Sequence, residues 1–405
     1  MKVDYIALSI PIFFILIAIE LAYTYSKKLR YFRLNDSLAN LSQGIGQQII
    51  GVFMKTALFF CYLYIYEHWR FFTLPNTIWI WILLFFIVDF FYYWFHRKSH
   101  EINALWAAHV VHHQSEEYNL TVALRQSWFQ GWFSWIFYLP VAFIGFNPIM
   151  FLTMTAFNTL YQFWIHTRTI GNMGWLEYIF NTPSHHRVHH GSNPKYIDKN
   201  HGGTLIIWDR LFGTFQKEEE TVYYGITKPV NSWNPVWANF QNWADIVKLA
   251  GMMRTWKDKI LVFINPPGWQ PDYLGGPLYP EEIDIENYSK YDKKSNVHLT
   301  AYSFFLFLIA LAVGTALLFR FPQLNMLQCY ATAAFVMATL VSCGALFEQN
   351  FWLKAFEFSR ILLSFLLVPL YLESSFSIIR WIFVSVQFIS LAWFISISKS
   401  IKSEV

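Results

Sequence analysis

Charged residues are scarce in this chain: Asp, Glu, Lys and Arg make up 14% of 405 residues, against roughly a quarter in ordinary globular proteins. Such a chain cannot cover its surface with solvated groups, which excludes a soluble globule. Its net charge is only +4 and it carries no basic stripe, so no nucleic-acid partner is expected. Cysteine is rarer still. Cys61, Cys329 and Cys343 lie in apolar runs without paired spacing, which excludes a disulfide framework or a thiolate metal site. No small-residue cleavage site follows the apolar stretch at 5–23, and the basic cluster comes after it, so it is expected to stay as a transmembrane helix. Internal repeats and low-complexity tracts are also missing.

What the chain has instead is apolar length. Hydrophobic residues make up 55%, and nine stretches approach the roughly 20 residues that cross a bilayer: about 5–25, 44–66, 77–95, 128–146, 148–166, 299–319, 325–347, 354–371 and 375–397. The expected fold is therefore all-α, a polytopic integral membrane protein with about nine transmembrane helices and a helical metal-binding region in the cytoplasm. Residues 1–298 would form the first domain and 299–405 a four-helix C-terminal segment. Basic residues set the topology, because cytoplasmic loops are enriched in Lys and Arg. Lys27, Lys28, Arg30 and Arg33, then Arg97, Lys98 and Arg125, then Lys399 and Lys402 share one side if nine helices alternate. The opposite loops, Glu67 to Pro75, Gly145 to Pro148, Arg320 to Gln323 and Leu372 to Ser375, carry only Arg70 and Arg320. This places the N-terminus outside and the long polar region 167–298 in the cytoplasm. Glu20, Asp89 and Arg360 are expensive at membrane depth and are expected to pair or snorkel.

Histidine carries the chemistry. Ten of the 13 fall between positions 96 and 190. His96 and His100 are one helical turn apart; His109, His112 and His113 repeat the i, i+3, i+4 spacing, as do His186, His189 and His190; His166 ends the fifth apolar stretch. On a helix, such spacing turns imidazoles to one face, so each triad is expected to converge on a common point. Nine imidazoles exceed what one ion can take, so two metal ions are expected. Two helices separate the first two boxes from the third, which brings all of them to one membrane face. A solvated surface role suits a single histidine and is the better reading for His68, His201 and His298. His185 is either a ligand or a donor to one.

The spacing alone leaves the metal open between zinc, implying hydrolysis, and iron, implying oxygen chemistry; a metal carrier is a third reading. The Glu-rich pattern of soluble di-iron bundles is absent. Glu101, beside His100, is either a neighbour of the ligands or a solvated carboxylate.

Placed this way, the boxes resemble the fatty acid hydroxylase and sterol desaturase superfamily. The runs His100-Glu-Ile-Asn-Ala-Leu-Trp-Ala-Ala-His109, His112 to Gln126, and Thr182-Pro-Ser-His-His-Arg-Val-His-His190 are similar to its ether-lipid-cleaving branch, as are Ile197 to Phe215 and Tyr224 to Pro229. That branch usually has Tyr where His201 stands. The likeness covers roughly the first 280 residues, and the four C-terminal helices match by number and position. It implies a non-haem di-iron monooxygenase with His96, His100, His109, His112, His113, His166, His186, His189 and His190 as ligands to two Fe ions and Glu101 as an essential neighbour. The substrates would be O2 and a lipid, most simply an alkylglycerol cleaved to fatty aldehyde and glycerol, with tetrahydrobiopterin or another electron donor as reductant. Fatty acyl or sterol hydroxylation and desaturation belong to the same superfamily.

Overall fold

The computed structural model describes residues 5–281, 288–371 and 377–401. Lys402 and the loop from Leu372 to Ser375, used above for charge placement, lie outside the described residues, as does the start of the ninth apolar stretch. Among the described residues the fold is all-helical, with only two isolated β-bridges, Phe180 to Leu205 and Gly191 to Tyr224. The helices are α1 (Tyr5–Ser26), α2 (Leu34–Trp69), α3 (Ile78–Glu101), α4 (Asn103–Ala107), α5 (Gln130–Ile144), α6 (Pro148–Trp164), α7 (Pro183–His189), α8 (Ile207–Phe212), α9 (Pro235–Met252), α10 (Trp256–Ile264), α11 (Val297–Arg320), α12 (Met326–Glu348), α13 (Leu353–Ser364) and α14 (Ser377–Ile397).

Five helices are long and apolar enough to cross a membrane, at Ser9–Ser26, Ile78–Glu101, Val297–Gln323, Met326–Glu348 and Arg380–Ile397. A sixth span is reached if Leu34–Met54 and Ala57–Trp69, inclined at 46°, count as one. The other three expected stretches are shorter or broken. Helices α5 and α6 have 15 and 17 residues, about 22 and 26 Å at 1.5 Å per residue, less than a bilayer core of roughly 30 Å. Their separation is written locally. Gly145 ends α5 at φ +107°, where an added Cβ would lie 1.9 Å from the Phe72 carbonyl oxygen, and Asn147 caps α6 through the Ile149 N–H with Pro148 in the first turn. Helix α13 has only 12 residues and passes into a 3-10 run, Phe365–Tyr371, containing Pro369, whose missing N–H and ring disfavour a continuing α-helix.

Helix α2 is unusual in burying polar residues. Asp36, Ser37, Asn40, Ser42 and Gln43 are all buried, and three of them bind neighbouring segments: Ser115 Oγ donates to Asp36, Arg125 donates to Asn40 Oδ1 at 3.1 Å, and Asn239 links Gln43 to α9. The C-terminal helices are not set apart. Helices α11 and α12 share one apolar core with α1 and α2, and Gly314 lets α11 lie against Ile45 and Ile49. Glu20, Asp89 and Arg360, the residues expected to be costly at membrane depth, all have partners. Asp89 accepts from the Thr204 and Leu205 N–H groups, Trp208 Nε1 and Asn158 Nδ2. Glu20 accepts from the Leu120 N–H at 2.8 Å and from Thr167 Oγ1. Arg360 forks onto Glu357 at 2.6 and 2.8 Å, with Tyr302 and Ser342 donating to the same carboxylate. A buried charge persists only when satisfied in this way.

Candidate metal centre

The C-terminal end of α3, the short 3-10 run Val110–His113, the end of α6 and the whole of α7 meet at one buried place. Thr182-Pro183 starts α7 with proline in the first turn, so a seven-residue helix forms where three histidines are needed. All nine expected ligands lie there, each with at most 6% of its surface exposed. They divide into two groups of nitrogen atoms, every one within 4.8 Å of the others in its group: His96, His100, His109, His113 and His189 in one, His112, His166, His186 and His190 in the other.

This division corrects the expectation that each triad points at one place. His109 and His113 join the first group while His112, between them, joins the second; His189 is likewise separated from His186 and His190. In each triad the two histidines four residues apart, His109 with His113 and His186 with His190, share a group, and the one between them is turned to the other. Two triads thereby serve both centres and tie them together.

The hydrogen bonds show why these nitrogens suit cations. His112 Nδ1 donates to the Arg125 carbonyl at 2.8 Å and His166 Nδ1 to the Gln162 carbonyl at 2.7 Å. Each Nε2 therefore carries a lone pair, yet the two Nε2 atoms are 3.2 Å apart, and His186 Nε2 is 3.0 Å from His166 Nε2. Facing lone pairs repel unless a cation lies among them. Two bonds of about 2.1 Å to one ion, at 90–109°, separate their nitrogens by roughly 3.0–3.4 Å. In the first group His109 Nε2 and His113 Nε2 are 3.2 Å apart, His96 Nδ1 donates to the His201 carbonyl at 2.8 Å and His189 Nδ1 to the Lys199 carbonyl at 2.9 Å. The Nε2 atoms of His96, His100, His189 and His190 are buried without any hydrogen-bond partner, the condition of a ligand whose other nitrogen is fixed by an acceptor.

Electrostatics agree. Burial, reinforced by neighbouring imidazoles, pushes His112, His113, His186, His189 and His190 well below the ordinary imidazole range. Burial lowers His109 to about 3 and His166 to about 4. All are neutral at physiological pH, as metal ligation requires. Neither group contains a carboxylate. The residues present thus fit two ions held by neutral nitrogen alone, a donor set for zinc, copper, nickel or ferrous iron.

Glu101 is in neither group. Its carboxylate is held by Arg97 at 2.6 Å and Lys98 at 2.5 Å, on its own helix. His185 lies outside both groups, 3.9 Å from Glu177 through Nε2. His68 and His298 are exposed. His201 differs from the sequence reading: it is buried, its ring centre lies 5.0 Å from that of His100, and its Nδ1 has no partner. Sequence spacing also missed Gln130, which accepts from His109 Nδ1 at 2.8 Å, and the 198–201 loop. The only available hint was the run Asn200-His-Gly-Gly203, whose glycines admit what side chains would block. A Cβ on Gly202 would lie 2.4 Å from the Leu205 carbonyl oxygen, and one on Gly203 would lie 2.7 Å from Tyr92.

A buried pair of all-histidine groups gathered at helix ends is the donor set of a histidine-box protein, and the family model described as fatty acid hydroxylase matches residues 81–214, the stretch holding all nine of these histidines. The chain is 43% identical over 352 residues to alkylglycerol monooxygenase of Xenopus tropicalis, covering 86% of this chain and 78% of the relative. It is 39% identical over 350 residues to the human protein of that name, with the same coverage, and 39% identical over 370 residues to that of Danio rerio, covering 90% and 82%. This chain belongs to the alkylglycerol monooxygenase family. No solved structure matches it.

Proposed function

We propose that this protein is an integral membrane monooxygenase that cleaves the ether bond of alkylglycerols. The carrying observation is the division of nine buried imidazoles into two adjacent groups in a chain so similar to alkylglycerol monooxygenases. Two irons bound there would supply oxygen activation. Neutral nitrogen ligands favour the divalent state that such chemistry starts from, and the chain's own part is to hold the imidazoles unprotonated, fix their tautomers through backbone carbonyls and keep water out. The overall reaction inserts one oxygen atom into the C–H bond beside the ether oxygen and reduces the other to water, using two electrons and two protons. The resulting hemiacetal falls apart to fatty aldehyde and glycerol.

An apolar groove of about 320 Å³ between α3 and α6, lined by Phe85, Phe157, Leu160 and Tyr161 with Asn158 and Thr204, suits an alkyl chain leaving the bilayer. Tetrahydrobiopterin as electron donor follows from the family resemblance. In the topology we favour, α5, α6 and α13 serve as short spans, giving nine crossings with the centres on the cytoplasmic face. Both α3 and α6 end at the centres, which fits spans running in the same direction, and the Lys and Arg distribution argues for the cytoplasmic face. Residues 1–298 would carry the chemistry and 299–405 would buttress α2. Glu101, paired as it is, would act by fixing the end of α3 that bears His100.

The test is aerobic turnover of an alkylglycerol by iron-loaded membranes with and without tetrahydrobiopterin. Pterin-dependent fatty aldehyde is expected; none, with iron present and the pterin supplied, would remove the ether-lipid reading.

A further inference from the structure

Three of the five imidazoles in the first group are met from behind by one four-residue loop. Asp198 Oδ1 stands 3.3 Å from His100 Nδ1, the Lys199 carbonyl accepts from His189 Nδ1 at 2.9 Å, and the His201 carbonyl accepts from His96 Nδ1 at 2.8 Å. No corresponding contact reaches the second group, where Arg125 and Gln162 carbonyls hold His112 and His166.

The loop is built to stay in this shape. Asp198 and Asn200 both have positive φ, 57° and 55°, a left-handed backbone that Asp and Asn tolerate better than other residues with a Cβ. Asn200 is fully buried, and its side chain donates to the His185 carbonyl at 3.0 Å and the Gln216 carbonyl at 2.7 Å while accepting from the Gln216 N–H at 2.8 Å. Asp209 receives the His201 and Gly202 N–H groups at 2.7 Å each, which fixes the peptide planes that aim the carbonyls.

We propose that the segment 198–201 is the orienting clamp of the five-histidine centre alone, with Asp198 and Asn200 as positioning residues that set its ligand geometry and metal retention independently of the four-histidine centre. This rests on the reading of the site as two metal centres. Outer partners of metal-bound histidines are worth about 10- to 100-fold in metal affinity, and here three such contacts come from one loop. Loosening it should release one ion and spare the other.

The experiment uses the full chain in detergent, loaded with ferrous 57Fe, and follows iron content, Mössbauer doublets and the rate of iron loss to a chelator. In the unaltered protein we expect two irons per chain and two doublets. Asp198→Ala, which removes a half-exposed side chain, is read beside Asp198→Gly, which removes the same carboxylate without the strain of a Cβ in the left-handed backbone. Each should shift one doublet, leave the other unchanged and speed one phase of iron loss by about 10-fold or more. Asn200→Ala should lower iron toward one per chain with the surviving doublet unmoved, and Asn200→Asp, which tolerates the same backbone but turns a buried carboxylate against the His185 and Gln216 carbonyls, should do so at least as strongly. If Asp198→Ala leaves both doublets and both rates as they were, or if either substitution affects the two irons equally, the clamp is overturned. One iron in the unaltered protein would instead overturn the two-centre reading, and the clamp with it.

Discussion

His112 and His166 turn their Nε2 atoms toward each other at 3.2 Å while each gives its Nδ1 hydrogen to a backbone carbonyl, Arg125 for one and Gln162 for the other. Two aromatic bases 54 residues apart in sequence are held with lone pairs facing, an arrangement that is unfavourable until a cation enters. His112→Ala should therefore abolish turnover and lower iron from about two to about one per chain, with the protein still membrane-inserted. Elemental analysis beside an activity assay checks this; an iron content that stays at two would remove His112 from the ligands.

The pH response of the metal-free protein follows from the same burial. His166 titrates at about 4 in the folded chain and near 6.5 when unfolded. The unfolded state thus binds more protons between these values, so stability is complete above about pH 6.5 and falls as pH drops toward 4, by up to about 3 kcal/mol from this residue alone. The other buried imidazoles add in the same direction. Thermal unfolding of the apoprotein from pH 7.5 to 5 should show a falling midpoint and the iron-loaded protein a smaller fall. A flat apoprotein profile would contradict the neutral-cluster description.

Asp89 is the anchor that holds the 203–208 segment against α3 and α6. Asp89→Ala would leave four donors, on Asn158, Thr204, Leu205 and Trp208, without an acceptor in a dry site, destabilising the fold by roughly 3–5 kcal/mol. Low yield or loss of iron is expected, read by size-exclusion recovery and metal content. Normal recovery with two irons would show the anchor to be dispensable.

Glu101→Gln separates a ligand from a neighbour. Its carboxylate is engaged by Arg97 and Lys98 and is about one-third exposed, so the change should alter stability by less than about 1 kcal/mol and leave two irons bound. Loss of an iron would show that the Glu101 carboxylate is needed for metal retention, as a ligand or through the end of α3 that bears His100.

The gathering of the nine histidines was legible because helical spacing and helix-end placement survive in the sequence without any knowledge of the fold. Their partition was not, since spacing that turns three imidazoles to one side of a helix does not say which of them share an ion. His201 was read as a surface residue and the Asp198 loop was given no role at the site because a loop has no period, and two of its contacts are made through carbonyls, which every residue has. Hydropathy found the apolar stretches but not their lengths as helices, because Gly145 and Pro369 cut α5 and the α13 region where composition alone reads on. The need for partners at Glu20, Asp89 and Arg360 was readable from cost alone, whereas the identity of most of those partners required the fold.

The most direct test of the central claim is turnover of an alkylglycerol under 18O2 in ordinary water, with the fatty aldehyde reduced to alcohol as it forms to prevent exchange. Oxygen insertion beside the ether predicts label in the fatty alcohol and none in glycerol, whose oxygen is the original ether atom. Unlabelled fatty product, or cleavage that proceeds without oxygen, would contradict monooxygenation and return the two centres to hydrolytic chemistry.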